Sequence, residues 1–268
     1  MGMADTRIRR LSLLTPTLTS RRKFLAATRD SVRAARALTD WQIDWLVALA
    51  DDNPGPVAHV LSGEAQLLAW TSLPGRIGPS VGRNVALAAA APGWVMALDD
   101  DDLLDCPGLA ALLAEAALSS AGWLSFNHVL FDGARTIHWH EQPRSWQAGE
   151  LEEHWTTPFP FHPSAMIVRR ELALAAGGWP ALPANEDLGF ALAVSSLAPG
   201  ASLPHIARHY RLHDSQAIAQ PGYTGARTIS FTIIEGQLNA RRRAAGKSPL
   251  RAPTSVGTLG HERLDRST

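Results

Sequence analysis

The hydrophobic positions of this chain form short apolar runs that alternate with longer amphipathic segments. Short apolar runs predict β-strands, because the buried strands of a mostly parallel sheet are apolar on both faces. The predicted strands are 11–14, 43–50, 57–61, 66–70, 94–98, 123–131, 135–140, 164–169 and 205–211. The predicted helices are 22–37, 80–91, 106–119, 185–196 and 225–245, with a further short helix that ends at 177–178. This alternation is typical of an α/β fold in which helices flank a mostly parallel sheet.

The pattern changes after Gly122. The runs 123–131 and 135–140 lie on either side of Asp132-Gly133, which predicts a β-hairpin. From residue 246 onward the chain is polar and contains Gly and Pro, so we expect a disordered tail over 246–268. We therefore expect one domain over 1–245. Its first half covers about 8–121, and a mixed second half covers about 122–245.

Composition excludes several classes of protein. Lys and Arg together number 25, as do Asp and Glu, so no net field attracts nucleic acid or an anionic membrane. Cys106 is the only cysteine, which excludes an intramolecular disulfide and metal sites built from several cysteines. Residues 1–10 lack the apolar core of a signal peptide, and no apolar run is long enough to span a bilayer. We expect a cytoplasmic protein, and the high Ala and Arg content with little Lys favours a bacterial source.

Four consecutive aspartates, Asp99 to Asp102, directly follow the predicted strand 94–98. In open α/β sheets, ligands bind outside the carboxyl ends of the strands. The four carboxylates repel one another, and no cationic residue is close to them in sequence. A divalent cation would relieve this repulsion, and carboxylate oxygens favour Mg²⁺ or Mn²⁺ over zinc. Alternatively, the acidic residues cap the following helix, although capping accounts for only one or two of the four.

Five motifs occur in an order that resembles the family 2 glycosyltransferases, which have the GT-A fold. The motifs are Leu14-Thr15-Pro16-Thr17, Asp51-Asp52-Asn53, Gly82-Arg83-Asn84-Val85-Ala86-Leu87, Leu98-Asp99-Asp100-Asp101-Asp102-Leu103-Leu104 and Asn185-Glu186-Asp187. The likeness covers roughly residues 8–216. It implies a GT-A-like, Rossmann-related fold with a nucleotide-sugar-binding half and an acceptor-binding half.

The resemblance implies roles for residues on the donor side. Pro16, Thr17 and Asp52 would hold the base and ribose of a nucleotide sugar. Arg83 and Asn84, in the first turn of a helix, would bind the diphosphate. Alternatively, Asp52 belongs to a turn that needs no ligand, and Arg83 is a solvated surface residue.

Further implied roles concern the aspartates and the second half of the chain. Asp99 and Asp100 would contact the nucleotide sugar, and Asp101 would bind the metal. Asp187, assisted by Glu186, would deprotonate the acceptor. His213 would reach the metal or the diphosphate, although a single histidine is more often a surface or core residue. Both acidic residues at 186–187 would also favour the positive end of the helix dipole.

Taken together, the motifs predict a glycosyltransferase that moves a sugar from a nucleotide-sugar donor to an acceptor hydroxyl or amine. The donor is expected to be UDP-linked, the cofactor Mn²⁺ or Mg²⁺, and the transfer inverting, as in most members of the resembled family. The acceptor is not identified by the residues. Two alternatives remain open, a sugar nucleotidyltransferase that uses the same acidic residues and a non-catalytic nucleotide-binding module.

Overall fold

The amino-terminal strands lie side by side and parallel, as predicted. The computed structural model describes residues 8–70, 78–132, 136–139, 142–155, 159–214, 216 and 221–251. The strands are β1 Arg10–Thr17, β2 Gln42–Ala50, β3 Gln66–Trp70, β4 Trp94–Ala97, β5 Leu103–Leu104, β6 Trp123–Phe131, β7 Thr136–Trp139, β8 Arg144–Trp146, β9 Met166–Arg169 and β10 Gly200–Arg211. The helices are α1 Arg22–Ala37, α2 Gly55–Leu61, α3 Pro79–Ala89, α4 Cys106–Leu118, α5 Arg170–Ala175, α6 Glu186–Leu197 and α7 Tyr223–Ala244, with 3₁₀ turns at Thr19–Arg21 and Leu151–His154.

A single sheet joins the two halves of the chain in the order β3-β2-β1-β4-β9-β6-β10-β5, with β7 beside β6 and β8 beside β10. Strands β3, β2, β1 and β4 are parallel neighbours, whereas β9 runs antiparallel between β4 and β6. In the second half, β10 is parallel to β6 and antiparallel to β5 and β8. The α/β architecture, with its mostly parallel first half and its mixed second half, is therefore confirmed.

One predicted strand is wrong, because residues 57–61 belong to helix α2. Two prolines, Pro54 and Pro56, lie at the start of this helix, where a missing N–H does no harm. Val57 and Leu61 are both buried, and their spacing of four residues places them on one helical face. Residues four positions apart also lie on one face of a strand, so in a short apolar segment this spacing does not distinguish a strand from a helix.

Alternating side chains of the central strands enter two hydrophobic cores, one on each face of the sheet. In β1, Leu14 belongs to one core, and Leu11 and Leu13 belong to the other. The core that contains Leu14 also receives side chains from α3, α6 and α7. The opposite core receives side chains from α1, α2 and α4. Helices α3 and α6 therefore lie on the same face of the sheet.

The carboxyl-terminal helix is held by a buried ion pair. Arg242 Nη1 donates to Glu152 Oε2 at 2.9 Å and to Glu153 Oε1 at 2.8 Å. Phe231 of the same helix stacks on Trp155 with ring centroids 5.1 Å apart.

The predicted hairpin is confirmed by the antiparallel pairing of β6 with β7. Most of the predicted disordered tail, 252–268, lies outside the described residues.

None of the helices among the described residues is both long and apolar enough to cross a membrane.

Candidate active site

The four aspartates lie between β4 and β5, at the carboxyl end of β4. The Thr15 hydroxyl of β1 donates to the Leu98 carbonyl at 2.6 Å, which fixes the chain just before the aspartates. The Thr28 hydroxyl of α1 lies 3.0 Å from the carbonyl oxygen of Asp100 and 2.9 Å from that of Asp102. The acidic segment is thus held by its backbone, which leaves its carboxylates to interact with other groups.

Each of the four carboxylates is paired with an arginine from a distant part of the chain. The pairs are Asp99 with Arg83 at 2.7 Å, Asp100 with Arg21 at 2.8 Å, Asp101 with Arg21, and Asp102 with Arg208 at 3.6 Å. The sequence-based reason for expecting a cation, that nothing neutralises the aspartates, is therefore wrong. The metal itself remains a prediction, but it must be supported by ligand geometry and not by uncompensated charge.

Asp101 and His213, the two predicted metal ligands, are in contact. His213 Nε2 lies 2.8 Å from Asp101 Oδ2, and Arg21 contacts the same oxygen. Within the described residues, no group of three or more Asp, Glu, His or Cys side chains could hold a metal ion. Mg²⁺ typically takes only one or two protein ligands and completes its shell with water and substrate phosphate. Asp101 supplies one carboxylate for that mode, provided that Arg21 releases its oxygen, whereas the imidazole of His213 is a less typical ligand for a hard cation.

Arg83 links the acidic segment to the start of α6. Its Nη2 donates to Asp99 at 2.7 Å, and its Nη1 donates to Glu186 at 2.8 Å and to Asp187 at 3.1 Å. The Arg83 side chain is 3% exposed. Burial acts to lower the pKa of Arg83, but the carboxylates of Asp187, Asp99 and Glu186 outweigh it and raise that pKa well above its ordinary value. Burial likewise acts to raise the pKa of Asp99, and Arg83 outweighs it to hold that pKa low.

Asp187, the predicted base, lies in the first turn of α6. Its Oδ1 accepts from Arg83 Nη1 and from the Trp179 indole Nε1, each at 3.1 Å. Burial raises its pKa to about 7, Arg83 opposes the shift, and the charges of Glu186 and Asp99 add to it. A carboxylate that titrates near neutral pH suits general-base catalysis. The side chain retains 21% exposure.

Both polar atoms of the Asn84 side chain form hydrogen bonds with the backbone of Trp179. Its Nδ2 donates to the Trp179 carbonyl at 2.9 Å, and its Oδ1 accepts from the Trp179 N–H at 2.8 Å. Gly178 makes this approach possible, because a Cβ at that position would lie 2.3 Å from Asn84 Oδ1. The backbone at Gly178 is also left-handed, with φ of +70°. These contacts favour a structural role for Asn84 over the predicted diphosphate contact, which remains untested.

Three predicted nucleoside contacts lie at the same edge of the sheet as the aspartates. Thr17, at the end of β1, donates to Asp100 Oδ2 at 2.6 Å, and burial raises the pKa of Asp100 to about 7 against the effects of Arg21 and Thr17. Pro16 lies against α3, where a Cβ on Gly82 would be 2.8 Å from Pro16 Cβ. Asp52 is exposed in the turn after β2.

Arg21, Trp179 and a group of cations around Phe24 were not foreseen from the sequence. The Phe24 ring stacks on His213 with centroids 4.8 Å apart. The cations around the ring are Lys23 Nζ at 4.8 Å, Arg21 Cζ at 5.6 Å and Arg211 Cζ at 5.8 Å from the centroid. The position of Arg21, just after the β1 strand end, was the available signal, and the Gly177-Gly178 turn before Trp179 was another. Two members of this group also contact the acidic segment, because Arg21 pairs with Asp100 and Asp101 and Arg211 Nε donates to the Asp101 carbonyl at 2.9 Å.

The architecture is that of a GT-A-like fold, in which a mostly parallel sheet carries an acidic segment at the carboxyl end of a central strand. The chain is similar in structure to S. aureus TarS. TarS 1-349 in complex with UDP-GlcNAc has a TM-score of 0.62 and 15% sequence identity, over 88% of this chain and 73% of that chain. TarS 1-349 in complex with UDP has a TM-score of 0.57 and 14% identity, over 88% and 72%.

A further crystal structure of S. aureus TarS has a TM-score of 0.58 and 18% identity, and the match covers 76% of this chain and 37% of that chain. No protein-family model matches this chain. A comparison with curated protein sequences also gives no match. At these identities the likeness establishes the fold.

Proposed function

We propose that this chain is a glycosyltransferase that transfers a sugar from a UDP-linked donor to a hydroxyl or amine of an acceptor. The observation that carries the proposal is the joint contact of Arg83 with Asp99 and Asp187. It brings a candidate base next to the acidic segment at the strand ends, where α/β sheets bind their ligands. The complexes of TarS with UDP-GlcNAc and with UDP support a nucleotide-sugar donor.

The donor would lie along the carboxyl ends of β1, β2 and β4. Asp52 is exposed after β2 and can accept hydrogen bonds from a nucleoside. Arg211 and Lys23 lie near the Phe24 ring and supply positive charge for a diphosphate. Arg83 and Asn84 were expected to bind the diphosphate, but Nη1 and Nη2 of Arg83 and Nδ2 of Asn84 already contact protein acceptors. Among the cations around Phe24, Arg21 is itself paired with Asp100 and Asp101, so the contacts favour Lys23 and Arg211 for that role.

Asp187 would act as the base. Its Oδ1 is held by Arg83 and Trp179, and the carboxylate would accept the acceptor's proton as the acceptor attacks the anomeric carbon. Asp101 and His213 would hold Mn²⁺ or Mg²⁺, which would supply Lewis-acid stabilisation of the departing diphosphate. An inverting single displacement needs the base and the leaving group on opposite sides of the sugar. The origin of Asp187 and Asp101 on different elements is compatible with that requirement.

The test is to incubate the protein with UDP-GlcNAc, with and without Mn²⁺, and to measure thermal stability and nucleotide release. Donor at about 100 times its dissociation constant stabilises a protein by about 2.7 kcal/mol, which is easily detected. Stabilisation by UDP-GlcNAc and Mn²⁺-dependent release of UDP would support the proposal. Exchange of pyrophosphate into a sugar nucleotide would identify a nucleotidyltransferase instead. Binding without any turnover, after an acceptor screen, would identify a binding module.

A further inference from the structure

We propose that Trp179 is a positioning residue for Asp187, and that Asn84 acts through Trp179. The inference rests on the proposed function, because it assigns a role to the surroundings of the base. Asn84 holds the Trp179 backbone by two hydrogen bonds, of 2.9 Å and 2.8 Å. The Trp179 indole N–H in turn holds Asp187 Oδ1 at 3.1 Å.

The contacts distinguish the two oxygens of the Asp187 carboxylate. Arg83 and Trp179 both donate to Oδ1. Among the described residues, no donor forms a hydrogen bond with Oδ2. A carboxylate anchored through one oxygen presents the other in a fixed direction, and a base must be placed within hydrogen-bond reach of the proton that it takes. Oδ2 is therefore the oxygen that receives the acceptor's proton.

Trp179 is rigid enough to perform this function. Its ring stacks on Phe190 of α6 with centroids 3.9 Å apart and planes inclined by 15°. The residue is 4% exposed and belongs to the hydrophobic core that α3 and α6 share. The ring therefore cannot turn away from Asp187 without disturbing this core. Adjacent residues of α3, Arg83 and Asn84, thus constrain Asp187 by two routes, one directly and one through Trp179.

Removing the indole N–H should alter the titration of Asp187. A hydrogen bond to a carboxylate favours its ionised form, so its loss raises the pKa of that carboxyl group. The charged and titratable groups that act on Asp187 or respond to it are Arg83 of α3, Glu186 of α6, Asp99 after β4, Arg208 of β10 and Tyr223 of α7. None of them is changed by a Trp179→Phe substitution, which also keeps an aromatic ring against Phe190.

The first experiment compares Trp179→Phe with the matched variant Trp123→Phe in the release of UDP from UDP-GlcNAc. Trp123 is also buried, and its Nε1 donates to the Ala198 carbonyl at 3.0 Å, so each variant loses one indole hydrogen bond and only Trp179→Phe loses one to a carboxylate. For Trp179→Phe we expect kcat to fall about tenfold and the KM for UDP-GlcNAc to stay unchanged. We also expect the apparent pKa of the acid limb of the pH–rate profile to rise by about one unit. For Trp123→Phe we expect the acid limb of the wild type.

The second experiment tests whether Asn84 acts through Trp179. Asn84→Ala should raise the acid limb in the wild-type background but should add no further shift to Trp179→Phe. Such non-additivity is the signature of two residues that act along one route. Equal and additive shifts would show that Asn84 acts independently, and would overturn that part of the proposal.

A third experiment reads the contact without any turnover. In ¹H–¹⁵N spectra, the indole signal that disappears in Trp179→Phe should titrate in the wild type and should no longer titrate in Asp187→Asn. If the wild type releases no UDP, the proposed glycosyltransferase activity fails, and the indole titration still tests the contact. An indole signal that keeps its titration in Asp187→Asn, or an unshifted acid limb in an active Trp179→Phe enzyme, overturns the positioning role.

Discussion

His213 Nε2 lies 2.8 Å from Asp101 Oδ2, although the two residues are 112 positions apart in the chain. Arg21 donates to the same Asp101 oxygen from a third segment. A metal ion held by Asp101 would compete with Arg21 for this oxygen, because both require its lone pairs. The proposed metal therefore implies a movement of the Arg21 side chain, and Asp101 is the residue at which the metal can be tested most directly.

Asp101→Asn should remove most of the Mn²⁺ dependence of UDP binding. An amide oxygen is neutral and is a weaker ligand for a hard cation than a carboxylate oxygen. We expect a loss of at least about tenfold in affinity with Mn²⁺ present, since even outer-shell changes at metal sites cost that much. Calorimetric titration with UDP, once in the presence of Mn²⁺ and once in the presence of EDTA, measures this loss of affinity. Asp40→Asn, an exposed residue paired with Arg9, is the control. Unchanged Mn²⁺ dependence in Asp101→Asn would remove Asp101 from the metal site.

Asp52→Ala should weaken the binding of uridine and of UDP by a similar factor. Asp52 is exposed after β2, whereas the neighbouring Asp51 is engaged in the turn and accepts from the Asn53 N–H at 2.9 Å. A contact to the nucleoside affects both ligands equally, and we expect about a tenfold loss for one charged hydrogen bond. Calorimetry with uridine and with UDP measures the ratio of the two losses of affinity. A selective loss of UDP would place Asp52 at the diphosphate instead.

Arg83→Met should destabilise the fold strongly, because three carboxylates would lose their shared cation. Removing one partner from a buried ion pair typically costs about 3–5 kcal/mol. Urea unfolding at pH 7.5 gives the change in the free energy of unfolding. The control is Arg9→Met, where the arginine is 54% exposed and its loss should change stability by about 0.5 kcal/mol or less. Near-wild-type stability of Arg83→Met would contradict the linking role that the contacts assign to Arg83.

The fold was largely predictable, because it depends on apolar runs and turn residues that are visible in the sequence. The strand before Asp99 and the helix start at Glu186 both follow from such local signals. The partners of the aspartates were not predictable, since Arg21 and Arg208 reach them only through the sheet order. The role of Trp179 could not be predicted either, because the contact of its indole N–H with the Asp187 carboxylate is formed only in the folded chain.

The contribution of Asp187 to stability should depend on pH in a defined direction. Its pKa is raised from 3.8 to about 7 in the folded protein, so between these values the folded state holds a proton that the unfolded state releases. The stability that this group contributes is fully present below about pH 3.8 and is lost as the pH rises through about 7. Asn does not titrate, so Asp187→Asn should gain stability relative to the wild type between pH 5 and pH 7.

Urea unfolding of Asp187→Asn and of the wild type at pH 5, 6 and 7 measures this difference. The expected gain is at most about 1.4 kcal/mol per pH unit, the value of a one-unit difference in pKa. Asp30→Asn, on the exposed surface of α1, should follow the wild type at all three pH values. A stability difference that is constant with pH would show that Asp187 titrates near its ordinary value in the folded protein.

Asp187→Asn should also lower sugar transfer by about 10²–10⁴-fold, the usual contribution of a general base. The binding of UDP and Mn²⁺ should stay nearly unchanged, because the predicted metal ligands Asp101 and His213 lie elsewhere and Asn can still accept from Arg83 and Trp179 through its Oδ1. Replacing the carboxylate by an amide removes the proton acceptor at the other position, where the described residues provide no hydrogen bond. Asp187→Asn therefore removes the proton acceptor and keeps the hydrogen bonds that position the side chain, whereas Asp187→Ala would remove both.

Glu186→Gln provides the comparison within the same helical turn. Glu186 also contacts Arg83, at 2.8 Å, but it has no bond to Trp179. Its loss should lower the rate by no more than about tenfold, since it orients Arg83 without accepting the proton. Steady-state transfer rates and UDP calorimetry on the two variants decide between the residues. If Glu186→Gln lost activity by orders of magnitude while Asp187→Asn kept it, Glu186 would be the base, and Trp179 would hold a carboxylate that only shapes the site.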